Sequence, residues 1–288
     1  MGDAMSEWYS LVSCLPFSWT EFDFMKNALL ALVIVCPCFG LVGTLVVGNK
    51  MAFFSDVIGH SALTGIAIGI LLGLADPRPA MLVFAVALAI LINIFSRATN
   101  AANDTVIGVF FAATVAVGVA VLSRGGSFNK FSVYLVGDIL SLMPREIAYL
   151  AIMLLVVILF WIFLGNHLSL ITVHSSLARE RTLSAFVVQT AFSSLVAIVV
   201  VLSIRWVGIL VINSLFILPA ASARIISGSI RQYTILSVVI SLCSGIAGLI
   251  VSFYTGFACG ATIVLCASMV YMIIVAARFF HRRMRIGR

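Results

Sequence analysis

Asp56 and His60 stand four residues apart in the stretch Met51-Ala-Phe-Phe-Ser-Asp56-Val-Ile-Gly-His60-Ser-Ala-Leu-Thr-Gly65. On a helix that spacing puts both side chains on one face, a single turn apart. Together they offer one hard oxygen and one borderline nitrogen donor, a mixture that Zn²⁺, Mn²⁺ and Fe²⁺ all accept. An ionisable group at the centre of a membrane helix costs about 2.5 to 3.5 kcal/mol even on the lenient insertion scale, so the pair calls for an explanation. One is a metal path. The other is a structural pair in which Asp56 accepts from His60 inside a helix bundle. Spacing leaves both open, because two ligands do not complete a tetrahedral site. Gly59, Ser61, Ala62 and Gly65 keep the surroundings small, which lets a neighbouring helix or a pathway come close.

The remaining polar residues in apolar stretches have plainer readings. Asn93, Asn103, Asp104, Gln189 and Asn213 suit helix ends or hydrogen bonds between helices, and His167 and His174 belong beside a solvated loop. The six cysteines are scattered and make no disulfide or zinc-ribbon pattern. Cys36-Pro-Cys38 could offer soft ligands, but a proline-kinked helix with two small residues explains it as well. No Gly-x-x-x-x-Gly-Lys-Ser/Thr run occurs, and Lys26, Lys50 and Lys130 lie in no such loop, so the chain does not bind ATP in the P-loop manner. His-Glu-x-x-His and Gly-x-Ser-x-Gly are absent too, which weakens an intramembrane enzyme as a reading.

The elements that carry these residues follow from composition. The chain is 63% apolar and 9% charged, far from the quarter charged of a soluble domain. With about 20 residues per span, its 288 residues give an all-α integral membrane protein of about eight or nine helices. Hydropathy predicts spans near 26–48, 51–75, 79–97, 105–123, 147–165, 184–204, 208–226, 233–254 and 260–280. Positive loops stay cytoplasmic. A C-terminus inside puts eleven of the 17 Lys and Arg on the cytoplasmic side and six outside, so the N-terminus is expected outside. The basic tail 281–288 then rests on anionic lipid headgroups, and nothing resembles a nucleic-acid surface.

Residues 1–25 carry acidic groups and no cation, the wrong charge for a signal peptide. Trp8, Tyr9, Phe17, Trp19, Phe22 and Phe24 suit an interfacial segment at the membrane surface. A single transmembrane domain is expected over 26–280. Two connections are longer than simple turns. The outer one, Arg124 to Glu146, contains Tyr134-Leu-Val-Gly137-Asp138. The inner one, Asn166 to Thr182, contains Ser175-Ser-Leu177-Ala178-Arg179-Glu180-Arg181, a helical patch suited to docking another protein.

Several stretches, in order from about residue 28 to 275, carry a resemblance. They are Met51 to Asp56 with His60 to Gly65, Asp104-Thr-Val-Ile-Gly108, Tyr134 to Leu140, Val207-Gly-Ile-Leu-Val, Leu218-Pro-Ala-Ala-Ser-Ala-Arg224 and Gly260-Ala-Thr-Ile-Val-Leu-Cys266. Together they resemble the permease subunits of zinc and manganese ABC importers and, more distantly, cobalamin and siderophore permeases. The resemblance implies a homodimer or paired permease, two cytoplasmic ATPases that alone bind ATP, and an extracytoplasmic metal-binding protein that delivers the ion; the outer loop around Gly137 and Asp138 is its expected docking surface. It implies that Asp56 and His60 are metal ligands on the transport path, and that 175–182 is a short cytoplasmic coupling helix. The cargo is Zn²⁺, with Mn²⁺ or Fe²⁺ next, because Leu63-Thr64-Gly65 lacks the proline of many manganese-type members. No cofactor is held permanently, and the home is the inner membrane. A permease for a metal chelate or cofactor is the alternative within transport.

Overall fold

In a bilayer every backbone N–H and C=O must be paired within the protein, and a chain this apolar meets that condition as helices. The computed structural model describes residues 2–13, 16–99, 103–124, 137–173 and 182–286. Ten helices are described: α1 (Gly2–Ser13), α2 (Asp23–Gly48), α3 (Ala52–Leu71), α4 (Arg78–Thr99), α5 (Asn103–Arg124), α6 (Pro144–Val173), α7 (Thr182–Val207), α8 (Ile209–Ile226), α9 (Ile230–Thr255) and α10 (Cys259–Ile286). Among the described residues nine of them, α2 to α10, are long and apolar enough to cross a membrane, and these coincide with the nine expected spans. The fold is an all-α membrane architecture. The stretch expected to dock another protein, Ser175 with Leu177, Ala178, Arg179, Glu180 and Arg181, lies outside the described residues.

The helix ends show where hydropathy misleads. The second span was expected to reach about residue 75, but α3 stops at Leu71. Gly73 adopts φ +70, its N–H donates to Ile70, and the Leu74 N–H reaches back to Gly69. That is a Schellman closure, which ends the helix while the sequence is still apolar. Lys50 makes the same closure after α2, at φ +56, with Met51 N–H donating to the Val46 carbonyl. Beyond α3, Arg78 donates to Asp76 at 2.9 Å and holds that exposed carboxyl below its usual range. Pro37 and Pro219 both lie within continuous helices, so the seventh span is complete.

The chain divides into two compact units. The first comprises Met1–Thr44, Asp138–Ile158 and Ser214–Arg288. Its core is built on small residues. A Cβ on Gly40 would lie 2.8 Å from the Val238 backbone, and one on Gly43 would collide with the Phe216 carbonyl. With that approach allowed, Ser237 donates to the Gly40 carbonyl at 2.9 Å and Phe39 packs on Phe216 with centroids 4.8 Å apart. Ser237, Ser241, Ser244, Gly248 and Ser252 form a stripe along α9, and Thr262 of α10 donates to Gly248 at 2.8 Å. Small stripes of this kind let membrane helices meet backbone to backbone.

At the start of this unit α1 is tied to the first turn of α2. Trp8 Nε1 donates to the Lys26 carbonyl at 3.1 Å, and the Tyr9 hydroxyl donates to Asn27 Oδ1 at 2.7 Å. Phe17, Phe22 and Phe24 are exposed, but Trp19, expected at the surface, is only 4% accessible. Its ring stacks near Phe17 and packs into the unit.

The second unit comprises Leu45–Gly137 and Leu159–Asn213. Helix α3 is its centre, packed on α4, α5 and α7. Gly65 and Gly69 let it touch the Ala80–Met81 and Pro77 backbone of the α4 segment. On another face Thr64 donates to the Thr114 carbonyl of α5 at 2.6 Å, and Ser61 and Thr114 share a hydroxyl hydrogen bond at 2.6 Å. These contacts fix the rotation of α3, and with it the direction of Asp56 and His60.

A candidate cation site on the central helix of the second unit

Asp56 and His60 project from the first half of α3, one turn apart as their spacing requires. His60 Nε2 stands 3.4 Å from Asp56 Oδ1, longer than a good hydrogen bond. Both side chains are part accessible, 36% for His60 and 40% for Asp56. The pair is therefore neither sealed in the helix packing nor locked together. The His60 ring also meets Phe111 of α5 edge-on, with centroids 5.8 Å apart, which limits how far the imidazole can swing.

A third residue joins them from a distant part of the sequence. Asn213, in the second turn of α8, donates Nδ2 to Asp56 Oδ1. Gly59 makes this reach possible. A Cβ there would come within 2.9 Å of Ile209 Cγ2, so the bare glycine lets the first turn of α8 lie against α3. Ile209 and Asn213 share a face of α8, and Asp56 and Gly59 share a face of α3. Ile209 against Gly59 therefore brings Asn213 to Asp56. The bond is of the interhelical kind expected for Asn213, and its partner is the residue that the sequence does not identify. The available signal was an amide placed four residues after the start of an apolar span.

The start of α8 is fixed in turn by Gly137 of the loop that precedes α6. Gly208 turns the chain at φ +81 between α7 and α8. Gly137, at φ +71, lies so close to Val207 and Gly208 that a Cβ would collide with their backbone atoms. Neighbouring Asp138 is exposed, and its Oδ1 accepts from the Leu140 N–H at 3.2 Å, capping the turn Ile139–Ser141. Among the described residues, no group of three or more His, Cys, Asp or Glu is placed to hold a metal ion. Cys36 and Cys38 are buried in the first unit, in a proline-containing helix.

The donors assembled on α3 are thus one carboxylate, one imidazole and a neighbouring carboxamide. Such a set can coordinate a divalent cation loosely. The chain is 30% identical over 254 residues to the high-affinity zinc uptake system membrane protein ZnuB of Haemophilus influenzae, covering 88% of this chain and 97% of that protein. It is 25% identical over 253 residues to the manganese transport system membrane protein MntC of Listeria monocytogenes, covering 88% and 90%. Among solved structures, PsaBC from Streptococcus pneumoniae in complex with Fab shares the fold, with TM-score 0.76, 24% identity and coverage of 94% of this chain and 95% of that one. The ABC 3 transport family is matched by residues 21–278, from the turn before α2 to the last span. A polytopic helical chain aligned over 88% of its length with membrane components of metal uptake systems is a transport subunit rather than an enzyme, and it belongs to the ABC 3 transport family.

Proposed function

We propose that this chain is the permease subunit of an ATP-driven importer that carries bare divalent transition metal ions across the inner membrane, Zn²⁺ first and Mn²⁺ or Fe²⁺ next. The observation that carries the reading is the Asp56–His60 pair, part accessible on the central helix of a unit otherwise held by glycine and hydroxyl contacts. An ion entering the membrane must shed most of its water. A carboxylate offsets that loss electrostatically, and a neutral imidazole adds a directed bond. Two strong ligands per chain suit transit, because a complete cage would retain the ion through the cycle. The zinc-uptake and manganese-transport relatives support the ion class, and Leu63-Thr64-Gly65 favours zinc within it.

The working assembly in this reading pairs two permeases, so that two Asp56–His60 pairs meet the same ion path. Two cytoplasmic ATPases supply ATP hydrolysis, and an extracytoplasmic metal-binding protein docks on the outer loop at Gly137 and Asp138. Ser175 to Arg181 is the coupling helix seated on the ATPase, the segment 1–25 lies along the membrane surface, and the basic C-terminus is cytoplasmic. The charge bias of the loops supports this orientation.

Uptake of ⁶⁵Zn²⁺ and ⁵⁴Mn²⁺ by the reconstituted complex tests the reading. Asp56→Ala and His60→Ala abolish uptake while the complex still assembles in the membrane, and substitutions at Leu177 and Glu180 leave ATP hydrolysis running without transport. Wild-type uptake in both Asp56→Ala and His60→Ala removes the site, and coupled transport in the Leu177 and Glu180 variants removes the coupling helix.

A further inference from the structure

The amide of Asn213 has one satisfied end and one idle end. Nδ2 donates to Asp56 Oδ1, while Oδ1 is buried and has no hydrogen-bond partner among the described residues. A buried carbonyl without a partner is costly. Gly59 and Ile209 hold the residue in place. Oxygen and nitrogen are borne on the same amide carbon, so a half turn of the amide exchanges them. The amide as seen is arranged to neutralise a carboxylate, and the turned amide is arranged to meet a cation.

We propose that Asn213 is a switching ligand and a selectivity residue of the cation path: when a divalent ion reaches Asp56 and His60, the amide turns and gives its carbonyl oxygen to the ion. The inference deepens the metal-path reading of Asp56 and His60 and rests on it. An N–H held against Asp56 competes with a cation for the same oxygen and points positive charge at it. Turning removes both conflicts and uses the idle oxygen. No bond is made or broken except hydrogen bonds and coordination, so the step reverses when the ion leaves and Nδ2 returns to Asp56. The exchange also supports release, because the departing ion is replaced by a charge-assisted hydrogen bond rather than by nothing.

The ligand set then becomes carboxylate oxygen, imidazole nitrogen and amide oxygen. Carbonyl and carboxylate oxygens suit Mn²⁺, whereas imidazole suits Zn²⁺. Asn213 therefore keeps Mn²⁺ a substrate of a path that would otherwise favour Zn²⁺ more strongly. A residue that only orients Asp56 would affect both ions alike. This difference separates a ligand from a positioning residue.

The experiment compares wild type, Asn213→Ala and Asn213→Asp in the reconstituted permease–ATPase complex, with KM and kcat measured separately for ⁵⁴Mn²⁺ and ⁶⁵Zn²⁺. Asn213→Ala raises KM for Mn²⁺ about tenfold, the lower end of what loss of a metal-site partner brings, and changes KM for Zn²⁺ by less than about threefold. Asn213→Asp restores Mn²⁺ binding through its oxygens but lowers kcat, because the added charge delays release. Equal rises in KM for both ions in Asn213→Ala, or no change in either, overturn the proposal. If Asn213→Ala does not assemble, Asn213→Asp decides alone: a raised Mn²⁺ KM overturns the proposal, and a lowered one with slower turnover supports it. Asp56→Ala and His60→Ala run alongside keep the two failures apart. Uptake that survives in those variants removes the metal path itself, whereas uptake lost there with unaltered selectivity in Asn213→Ala removes only the switch.

Discussion

At the scale of single residues, Asp56 and His60 were legible because ionisable groups in an apolar run are rare and their i,i+4 spacing fixes a common face. Asn213 was not. It lies 157 residues from Asp56, its amide is uncharged, and its neighbours Ile212 and Ser214 give no hint of a partner. The hydroxyls that set the rotation of α3 were equally hard to read, because Thr64 and Ser61 look like ordinary small residues in a span. Their role can be weighed. Thr64 donates to the Thr114 carbonyl beside Gly118, where any Cβ would collide with Thr64 Oγ1. Thr64→Val keeps the branched shape and deletes the hydrogen bond, and hydrogen bonds between membrane helices average about 0.6 kcal/mol. Thermal unfolding of the purified protein should show a small loss, on the order of 1 kcal/mol or less. A loss of several kcal/mol would mean that the hydroxyl supports more than the α3–α5 contact.

At the scale of elements, the number and order of the spans could be read from hydropathy, because lipid permits little besides helices. Their ends could not. The stop of α3 depends on the positive φ of Gly73 within a sequence that continues apolar through Leu74, and α2 ends on Lys50 at φ +56, a conformation no propensity scale favours for lysine. The capping of α9 was legible in principle, as Ser229 and Gln232 make an S-x-x-Q start, with Ser229 Oγ accepting from the Gln232 N–H at 3.3 Å. Gly137, which the sequence marks only as an expected docking position, has a structural duty at the junction of α7 and α8. Gly137→Ala would meet both a left-handed backbone, which costs a non-glycine residue about 1 to 2 kcal/mol, and a collision with Val207 and Gly208. We expect a lowered melting temperature together with reduced uptake, since the displaced start of α8 carries Asn213 away from Asp56. Unaltered melting and uptake would show that this contact does not position α8.

At the scale of the whole molecule, composition alone establishes a polytopic helical protein, and the ordered set of motifs points to its family. What composition could not show is which helix lies at the centre of each unit. That follows from where glycine permits close approach: Gly65 and Gly69 make α3 a hub of the second unit, while the serine and glycine stripe of α9 organises the first. The central claim is that a bare divalent cation passes between Asp56 and His60. Anomalous diffraction from zinc-soaked crystals of the assembled permease–ATPase complex tests it most directly. The account predicts a zinc peak about 2 Å from an Asp56 carboxylate oxygen and from His60 Nε2, lost in Asp56→Ala. Zinc bound stoichiometrically elsewhere in the permease, with no peak at the pair, would contradict it.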